Sequence, residues 1–256
     1  MKFIKIIHFN ISLGNYSNYV SEIINRAKLN ISSYVCIANV HMFIEAYRDS
    51  SFLNVIENAD IVTPDGMPLV IALRFLKGVV QDRVAGMDLL PDILKIAVKE
   101  NVKVFFYGGT DLMLNKTKQY LSDEYPNLNI GGFYSPPFRE LSNDEKNDVI
   151  QMINSTGSGI VFVVLGCPKQ EKWMHSMKGK INSCMIGIGG ALPVLVGMHK
   201  RAPNWMQRWS LEWFYRLLQE PRRLFIRYLS TNSIFVYIVI REYLKLKINK
   251  YWQKIF

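Results

Sequence analysis

The sequence alternates short β-branched segments with turns and segments of helical length over its first 190 residues. The predicted strands are residues 34–38, 60–63, 102–107, 128–133, 160–165 and 184–188. The predicted helices are residues 16–28, 67–76, 87–100, 111–121, 144–154 and 168–177. Strands separated by helical crossovers form parallel sheets with helices on their faces. We therefore expect an α/β, Rossmann-like, largely parallel sheet with flanking helices.

The character of the chain changes near Gly197, where the α/β pattern gives way to a segment rich in Trp and Arg that contains Pro203 and Pro221. We predict a core of residues 1–196 and a helical C-terminal appendage of residues 197–256. Residues 1–11 carry Lys2, Lys5 and His8 among apolar residues and lack a cleavage site of small residues, so they predict a first strand rather than a signal peptide.

Composition excludes some classes of protein. With 49% hydrophobic and 20% charged residues, the chain is too apolar for a disordered protein. Three cysteines without close spacing do not indicate a disulfide framework or a zinc site, and a reducing cytoplasmic compartment fits them. The four histidines are scattered and no Asp-x-Asp pair occurs, so we expect neither a metal ion nor a cofactor.

The positive charge is concentrated in the appendage. The net charge is +10, and from Lys200 onward there are 12 basic and 3 acidic residues. This asymmetry predicts an anionic partner, either a membrane surface or nucleic acid. The longest uninterrupted apolar run near the C-terminus, residues 234–240, has seven residues, far fewer than the roughly 18 needed to span a bilayer.

Three tryptophans of the appendage recur every four residues, at Trp205, Trp209 and Trp213. This spacing predicts that they share one face of a helix. Together with the neighbouring arginines, they are typical of a helix that lies in the membrane interface. A stripe packed against the core is the alternative, and the two roles are compatible.

Three predicted strands run directly into glycine and then a helix. These glycines are Gly108 and Gly109, Gly166, and Gly189 and Gly190. Glycine allows close approach of a ligand, and a following helix N-terminus favours phosphate. The alternative at each site is a tight turn with no ligand. Because ligands of open parallel sheets bind at the carboxyl ends of the strands, the three together favour a diphosphate or nucleotide site.

Polar side chains also lie at the ends of predicted strands. Asp65, which follows the predicted strand 60–63, is a candidate general base, with a turn or N-cap role as the alternative. Asn39, which follows the predicted strand 34–38, is a candidate to hydrogen-bond a sugar or ribose, with an N-cap role as the alternative. Lys169 and Gln170 open a helix after Gly166 and are candidates to contact a diphosphate or a sugar. We discount neighbouring Cys167 as a nucleophile, because no His or Asp partner is indicated.

The motifs, taken in order, resemble those of the WecG/TagA/CpsF glycosyltransferases. The segments that carry the resemblance are 38–42 (ANVHM), 63–66 (TPDG), 83–86 (RVAG), 106–109 (FYGG), 166–171 (GCPKQE), 187–190 (GIGG) with Pro203, 212–217 (EWFYRL) and 220–223 (EPRR). They cover residues 1–230, and the lysine-rich residues 231–256 show no confident match. Cys167 stands where the family often has a small residue such as serine.

The resemblance implies an inverting, metal-independent transfer of N-acetylmannosamine or a related sugar from a UDP-sugar to a polyprenyl-diphosphate-linked sugar, in synthesis of a cell-surface polysaccharide or teichoic acid. It implies that Asp65 is the general base and that Asn39, Arg83 and Gln170 line its pocket. It further implies an appendage that docks on the inner face of the cell membrane. The appendage arginines that it places near the substrate diphosphate are Arg216, Arg222 and Arg223.

We hypothesise that Asp65 deprotonates the acceptor hydroxyl, while glycine-turn N–H groups and arginines, including Arg83, stabilise the departing UDP. A nucleotide-dependent oxidoreductase is disfavoured, since the late GIGG segment lacks the G-x-G-x-x-G spacing. A non-enzymatic binder of nucleic acid is the other alternative, although we expect no nucleic-acid partner. The exact donor and acceptor stay open, and a homo-oligomer is plausible.

Overall fold

The computed structural model describes residues 1–208 and 211–255. Its main sheet contains six parallel strands in the order β4-β3-β8-β7-β5-β6. The strands are β3 (Ser33–Ala38), β4 (Ile61–Pro64), β5 (Val104–Gly108), β6 (Ile130–Tyr134), β7 (Ile160–Val164) and β8 (Cys184–Gly187). All six were predicted from the sequence, and the Rossmann-like α/β fold is confirmed. Strands β3, β4, β5, β7 and β8 are buried along their whole length, as expected for a sheet covered on both faces.

Residues 1–13 differ from the prediction of a single first strand. They form an antiparallel hairpin of β1 (Lys2–Ile6) and β2 (Phe9–Leu13), separate from the main sheet. The chain turns at Ile7, a non-glycine residue with φ +59°. Left-handed backbone is rare for a β-branched residue, so the sequence carries no ordinary turn signal here.

Helices cover both faces of the sheet. The core helices are α1 (Tyr16–Lys28), α2 (Val40–Arg48), α3 (Ser50–Glu57), α4 (Met67–Lys77), α5 (Gly86–Lys99), α6 (Asp111–Glu124), α7 (Asn143–Ser155), α8 (Lys169–Met177) and α9 (Ala191–Leu195). Helices α2 and α3 were missing from the sequence prediction. Their N-caps are Asn39 and Asp49, whose side chains accept backbone hydrogen bonds in the first turns.

The appendage is helical, as predicted, but the tryptophans do not lie on one helix. It consists of α10 (Asn204–Arg208), α11 (Glu212–Gln219) and α12 (Pro221–Ile255). Trp205 belongs to α10 and Trp213 to α11, while Trp209 lies outside the described residues. The prediction of a shared helical face is therefore wrong. Trp205 and Trp213 are nevertheless exposed, at 59% and 43%.

Helix α12 packs against α2 and α4. Phe235 and Ile238 of α12 are buried in the same apolar cluster as the strand residues of one sheet face. The ring of Phe235 meets Phe43 of α2 edge-on, with centroids 5.0 Å apart. The appendage therefore shares part of its core with the α/β domain.

By length and composition alone, Leu224–Ile248 within α12 is sufficient to cross a membrane. A search for uninterrupted apolar runs misses this segment, because Arg227 and the polar residues 230–233 interrupt it. Core helices of soluble proteins pass the same test, although they are mostly buried and only 22% of this window is. Since Phe235 and Ile238 belong to the core, we treat α12 as a helix of the folded domain.

This packing predicts that Phe235→Ala lowers the free energy of unfolding by about 3–4 kcal/mol, because it leaves a cavity beside Phe43. The matched control is Phe225→Ala on the same helix, whose ring is 57% exposed and whose loss should cost far less. Urea denaturation of the two variants measures the difference. Equal destabilisation would contradict the packing of α12 described here.

Candidate active site at the carboxyl edge of the sheet

The polar residues predicted from the sequence meet at one edge of the sheet. Strands β4, β3, β8 and β7 are consecutive neighbours, and their carboxyl ends lead into Asp65, Asn39, Gly189 and Gly166 respectively. The backbone N–H of Asp65 donates to the carbonyl oxygen of Ala38 at 2.8 Å, which joins the ends of β4 and β3. This edge is where open parallel sheets bind ligands.

The carboxylate of Asp65 is not a helix cap. The N-cap of α4 is Gly66, with no side-chain cap hydrogen bond. Among the described residues none donates a hydrogen bond to the Asp65 carboxylate, and none forms an ion pair with it within 4.0 Å. Burial raises the pKa of Asp65 to about 6, Arg83 and Arg216 oppose the rise, and Glu212 and Asp88 add to it. A carboxylate with a pKa close to neutral suits proton abstraction.

The charge of Arg83 acts on Asp65 because residues 81–85 run beside the end of β4. The backbone N–H of Val84 donates to the Pro64 carbonyl oxygen at 2.9 Å, and Thr63 Oγ1 donates to the Val84 carbonyl oxygen at 3.1 Å. The Arg83 guanidinium itself pairs with Glu212 and Asp88. The predicted contact of Arg83 with a diphosphate therefore requires its remaining N–H groups or an exchange of partners.

Of the three appendage arginines predicted at the site, the structure brings Arg216 to it. Arg216 on α11 donates from Nη2 to the Gly190 carbonyl oxygen at 3.4 Å, and its charge acts on Asp65. Arg222 is exposed in the first turn of α12, and the side chain of Arg223 lies outside what the structure describes.

Gln170 is buried and its amide is largely committed to other protein groups. Its Oε1 accepts from the Gly166 N–H at 3.2 Å, and its Nε2 donates to Glu171 Oε1 at 2.7 Å. Its side chain lies so close to Gly187 that a Cβ there would come within 2.8 Å of Nε2. The Gln170 side chain therefore stabilises the turn after β7 and packs closely against the end of β8. Neighbouring Lys169 is exposed at the start of α8.

The glycine turns contribute fewer free N–H groups than the sequence suggested. Gly109 N–H donates to the Val164 carbonyl oxygen at 2.8 Å, and Gly189 N–H donates to that of Val163 at 3.3 Å. Helix α6 after Gly109 is capped by Thr110 and begins with Asp111, which disfavours an anion. At Gly108, with φ +102°, a Cβ would lie 2.6 Å from the Val164 oxygen, so the tight-turn interpretation explains this glycine pair.

Asn39 and Cys167 take the simpler of their two roles. Asn39 Oδ1 accepts from the Met42 N–H at 3.1 Å and caps α2. Burial raises the pKa of the Cys167 thiol far above its ordinary value, which opposes a nucleophilic role. In the described ranges 1–208 and 211–255, no group of three or more His, Cys, Asp or Glu residues is placed to hold a metal ion. Metal independence stays a prediction.

Sequence reasoning missed two carboxylates near the site. Glu212 on α11 pairs with Arg83, and Glu171 lies fully buried behind Gln170, where burial raises its pKa to about 7. Both residues stood within recognised motifs. Their partners became visible only in three dimensions, since Arg83 and Glu212 are 129 residues apart in the chain.

Comparison with known families identifies what this edge belongs to. The profile of the Glycosyl transferase WecG/TagA/CpsF family matches residues 4–249. The chain belongs to this family. It is therefore a glycosyltransferase, and the match includes most of the 231–256 segment that the motifs left unassigned. Neither the oxidoreductase nor the nucleic-acid binder is favoured by this result.

Curated relatives of the family agree with this membership. Proteins of Bacillus subtilis, Bacillus spizizenii and Staphylococcus aureus are all named N-acetylglucosaminyldiphosphoundecaprenol N-acetyl-beta-D-mannosaminyltransferase. The B. subtilis protein is 32% identical over 85% of this chain and 83% of its own length. The B. spizizenii protein is 31% identical over 76% and 74%, and the S. aureus protein 30% identical over 84% and 82%.

The raised pKa of Asp65 predicts that Asp65→Asn stabilises the protein at pH 7.5. There the carboxylate is ionised in both the folded and the unfolded chain, and burial disfavours the ionised form only in the folded one. The gain should be about 1–3 kcal/mol and should disappear as the pH falls from 6 to 4, where the wild-type carboxyl becomes protonated. Urea denaturation at several pH values measures it.

The control is Asp49→Asn, since hydrogen bonds from Ser51 and Lys172 lower the pKa of Asp49. That substitution should destabilise the protein at pH 7.5, which is the opposite sign. Destabilisation by Asp65→Asn at pH 7.5 would show that Asp65 has a structural role instead.

Proposed function

We propose that this chain transfers N-acetylmannosamine from a UDP-sugar to an N-acetylglucosaminyl-diphosphate-polyprenol, with inversion at the anomeric carbon and without a metal ion. The observation that carries the proposal is the half-buried Asp65 carboxylate, which has no ion-pair partner among the described residues and is influenced by the charges of two arginines at the carboxyl edge of the sheet. The names of the relatives support the choice of sugar and acceptor.

The proposed chemistry is an in-line displacement. Asp65 takes the proton from an acceptor hydroxyl, whose oxygen forms a bond to the anomeric carbon as the bond between that carbon and the UDP oxygen breaks. UDP leaves with the bonding electron pair, and the positive charges of Arg216 and Arg83 stabilise the developing negative charge. A single base acting in one displacement inverts the configuration.

We further propose that the appendage holds the enzyme on the inner face of the cell membrane, where a polyprenyl acceptor is located. Its exposed apolar side chains include Trp205, Trp213, Phe214, Leu218, Phe225, Ile226 and Leu229. Exposed basic residues, among them Lys200, Arg222, Arg241 and Lys245, accompany them. Aromatic and basic residues together favour binding to anionic lipid surfaces.

The transfer reaction is tested by UDP release from a panel of UDP-sugars, with a short-chain polyprenyl-diphosphate-N-acetylglucosamine acceptor and EDTA present. We expect release that depends on the acceptor with UDP-N-acetylmannosamine. Asp65→Asn should reduce turnover by about 100- to 10,000-fold while UDP binding is retained, because the base is lost and the arginines are not. Turnover at the wild-type rate in this variant would exclude Asp65 as the base, and release that requires added metal would exclude metal independence.

The rate of transfer should also depend on the ionisation of Asp65. Because Asp65 must be ionised to accept a proton, kcat/KM should decrease about tenfold per pH unit below a midpoint near 6. Initial rates between pH 4.5 and 8 measure this profile. A midpoint at or below pH 4 would be inconsistent with a base of raised pKa.

Membrane docking predicts that Phe225→Ser weakens binding to vesicles that contain phosphatidylglycerol. Loss of one inserted phenyl ring corresponds to about 1.5–3 kcal/mol, or roughly a tenfold or greater loss of affinity. Vesicle co-sedimentation measures it, and the matched control is Phe138→Ser on the core, whose ring is 92% exposed. Equal losses in both variants would contradict docking through the appendage.

A further inference from the structure

Four charged side chains form a cluster where the appendage meets the core beside Asp65. They are Arg83, Asp88, Arg201 and Glu212. Arg83 and Asp88 belong to the core, whereas Arg201 and Glu212 belong to the appendage. The cluster alternates in sign, so each cation lies between two carboxylates.

The Arg83 guanidinium is held on two sides. Its Nη1 donates to Glu212 Oε2 at 2.5 Å, and its Nη2 donates to Asp88 Oδ2 at 3.1 Å. The Arg83 and Glu212 side chains are only 20% and 13% exposed. Loss of one partner from a pair this buried leaves the other charge uncompensated, so the remaining charge seeks a new partner.

Arg83 is the principal partner of Glu212 in this cluster. The second carboxylate oxygen of Glu212, Oε1, is buried and accepts no hydrogen bond from the described residues. The Nε atom of Arg201 lies 3.8 Å from this oxygen. Asp88, by contrast, also accepts a hydrogen bond from Arg201. Removal of the Glu212 charge should therefore affect Arg83 more than any other residue.

Besides Glu212 and Asp88, which it already pairs with, the carboxylate whose charge acts on Arg83 is that of the proposed base, Asp65. Arg83 is the strongest positive influence on Asp65, yet the two do not form an ion pair within 4.0 Å in the described structure. A direct ion pair would keep Asp65 ionised but would make it a weaker base, and it would block the approach of an acceptor hydroxyl.

We propose that Glu212 is a positioning residue, which holds Arg83 away from Asp65 and so keeps the Asp65 carboxylate unpaired and available to the acceptor. Because Glu212 is the first residue of α11, a competent base then requires the appendage to be seated on the core. The proposal rests on the proposed role of Asp65 and adds a residue and a contact between domains to it.

The test is the pH dependence of kcat/KM for Glu212→Gln, which keeps the shape of the side chain and removes its charge. Two effects lower the pKa of Asp65 in this variant: the loss of a nearby negative charge and the closer approach of Arg83. The charged groups that act on Asp65 are Arg83, Arg216, Glu212 and Asp88. The acidic limb of the profile should shift by at least 0.5 unit to lower pH, with kcat about tenfold lower.

The matched control is Glu242→Gln, the same change in α12, where Glu242 pairs with Lys245 at 2.7 Å. Its acidic limb should not move. A purely structural role of Glu212 would lower the melting temperature and leave the limb in place, which would overturn the proposal.

A double-mutant cycle tests whether Glu212 acts through Arg83. In the Arg83→Gln background, Glu212→Gln should shift the titration of Asp65 by less than half as much as in the wild type. NMR titration of the ¹³C-labelled aspartate carboxyl groups, assigned with Asp65→Asn, gives this readout without any turnover. An undiminished shift would contradict the proposal, and a wild-type protein that titrates as expected but transfers no sugar would count against the proposed function alone.

Discussion

The structure depends on the burial of a parallel sheet on both faces. Five of its six strands are buried at every residue, so helices must cover both faces, and the edge formed by the carboxyl ends of the strands stays open to ligands. The sheet order brings β4, β3, β8 and β7 side by side, although β3 and β8, which pair directly, come from opposite ends of the core sequence. Asp65, Asn39, Gln170 and Gly190 thereby converge at one edge.

The appendage packs against the core and contributes residues to this edge. Phe235 and Ile238 anchor α12 in the core, while α11 supplies Arg216 and Glu212 to the surroundings of Asp65. The two parts of the chain therefore share both a hydrophobic core and an electrostatic field. Keeping a carboxylate unpaired in such a field costs stability, which is typical of sites that hold a group ready for proton transfer.

The local pattern predicted the sheet well, because β-branched runs, glycine turns and helical spacing all act within a few residues. It failed where the decisive contact was distant or the local signal was unusual. The turn at Ile7 has no glycine, the spacing of Trp205 and Trp213 crosses a helix boundary, and Arg83 meets Glu212 only after folding. The position of Asp65 was predictable from its place after a strand. That no described residue donates a hydrogen bond to its carboxylate was not predictable.

The most direct test of this account is a crystal structure of the protein with UDP bound. The account predicts that the diphosphate lies at the carboxyl ends of β4, β3, β8 and β7, in contact with Arg216 and with its terminal phosphate facing the Asp65 carboxylate. UDP bound elsewhere, for example in the open cavity of about 300 Å³ that is lined by Gly14, Asn15 and residues 79–82, would contradict it.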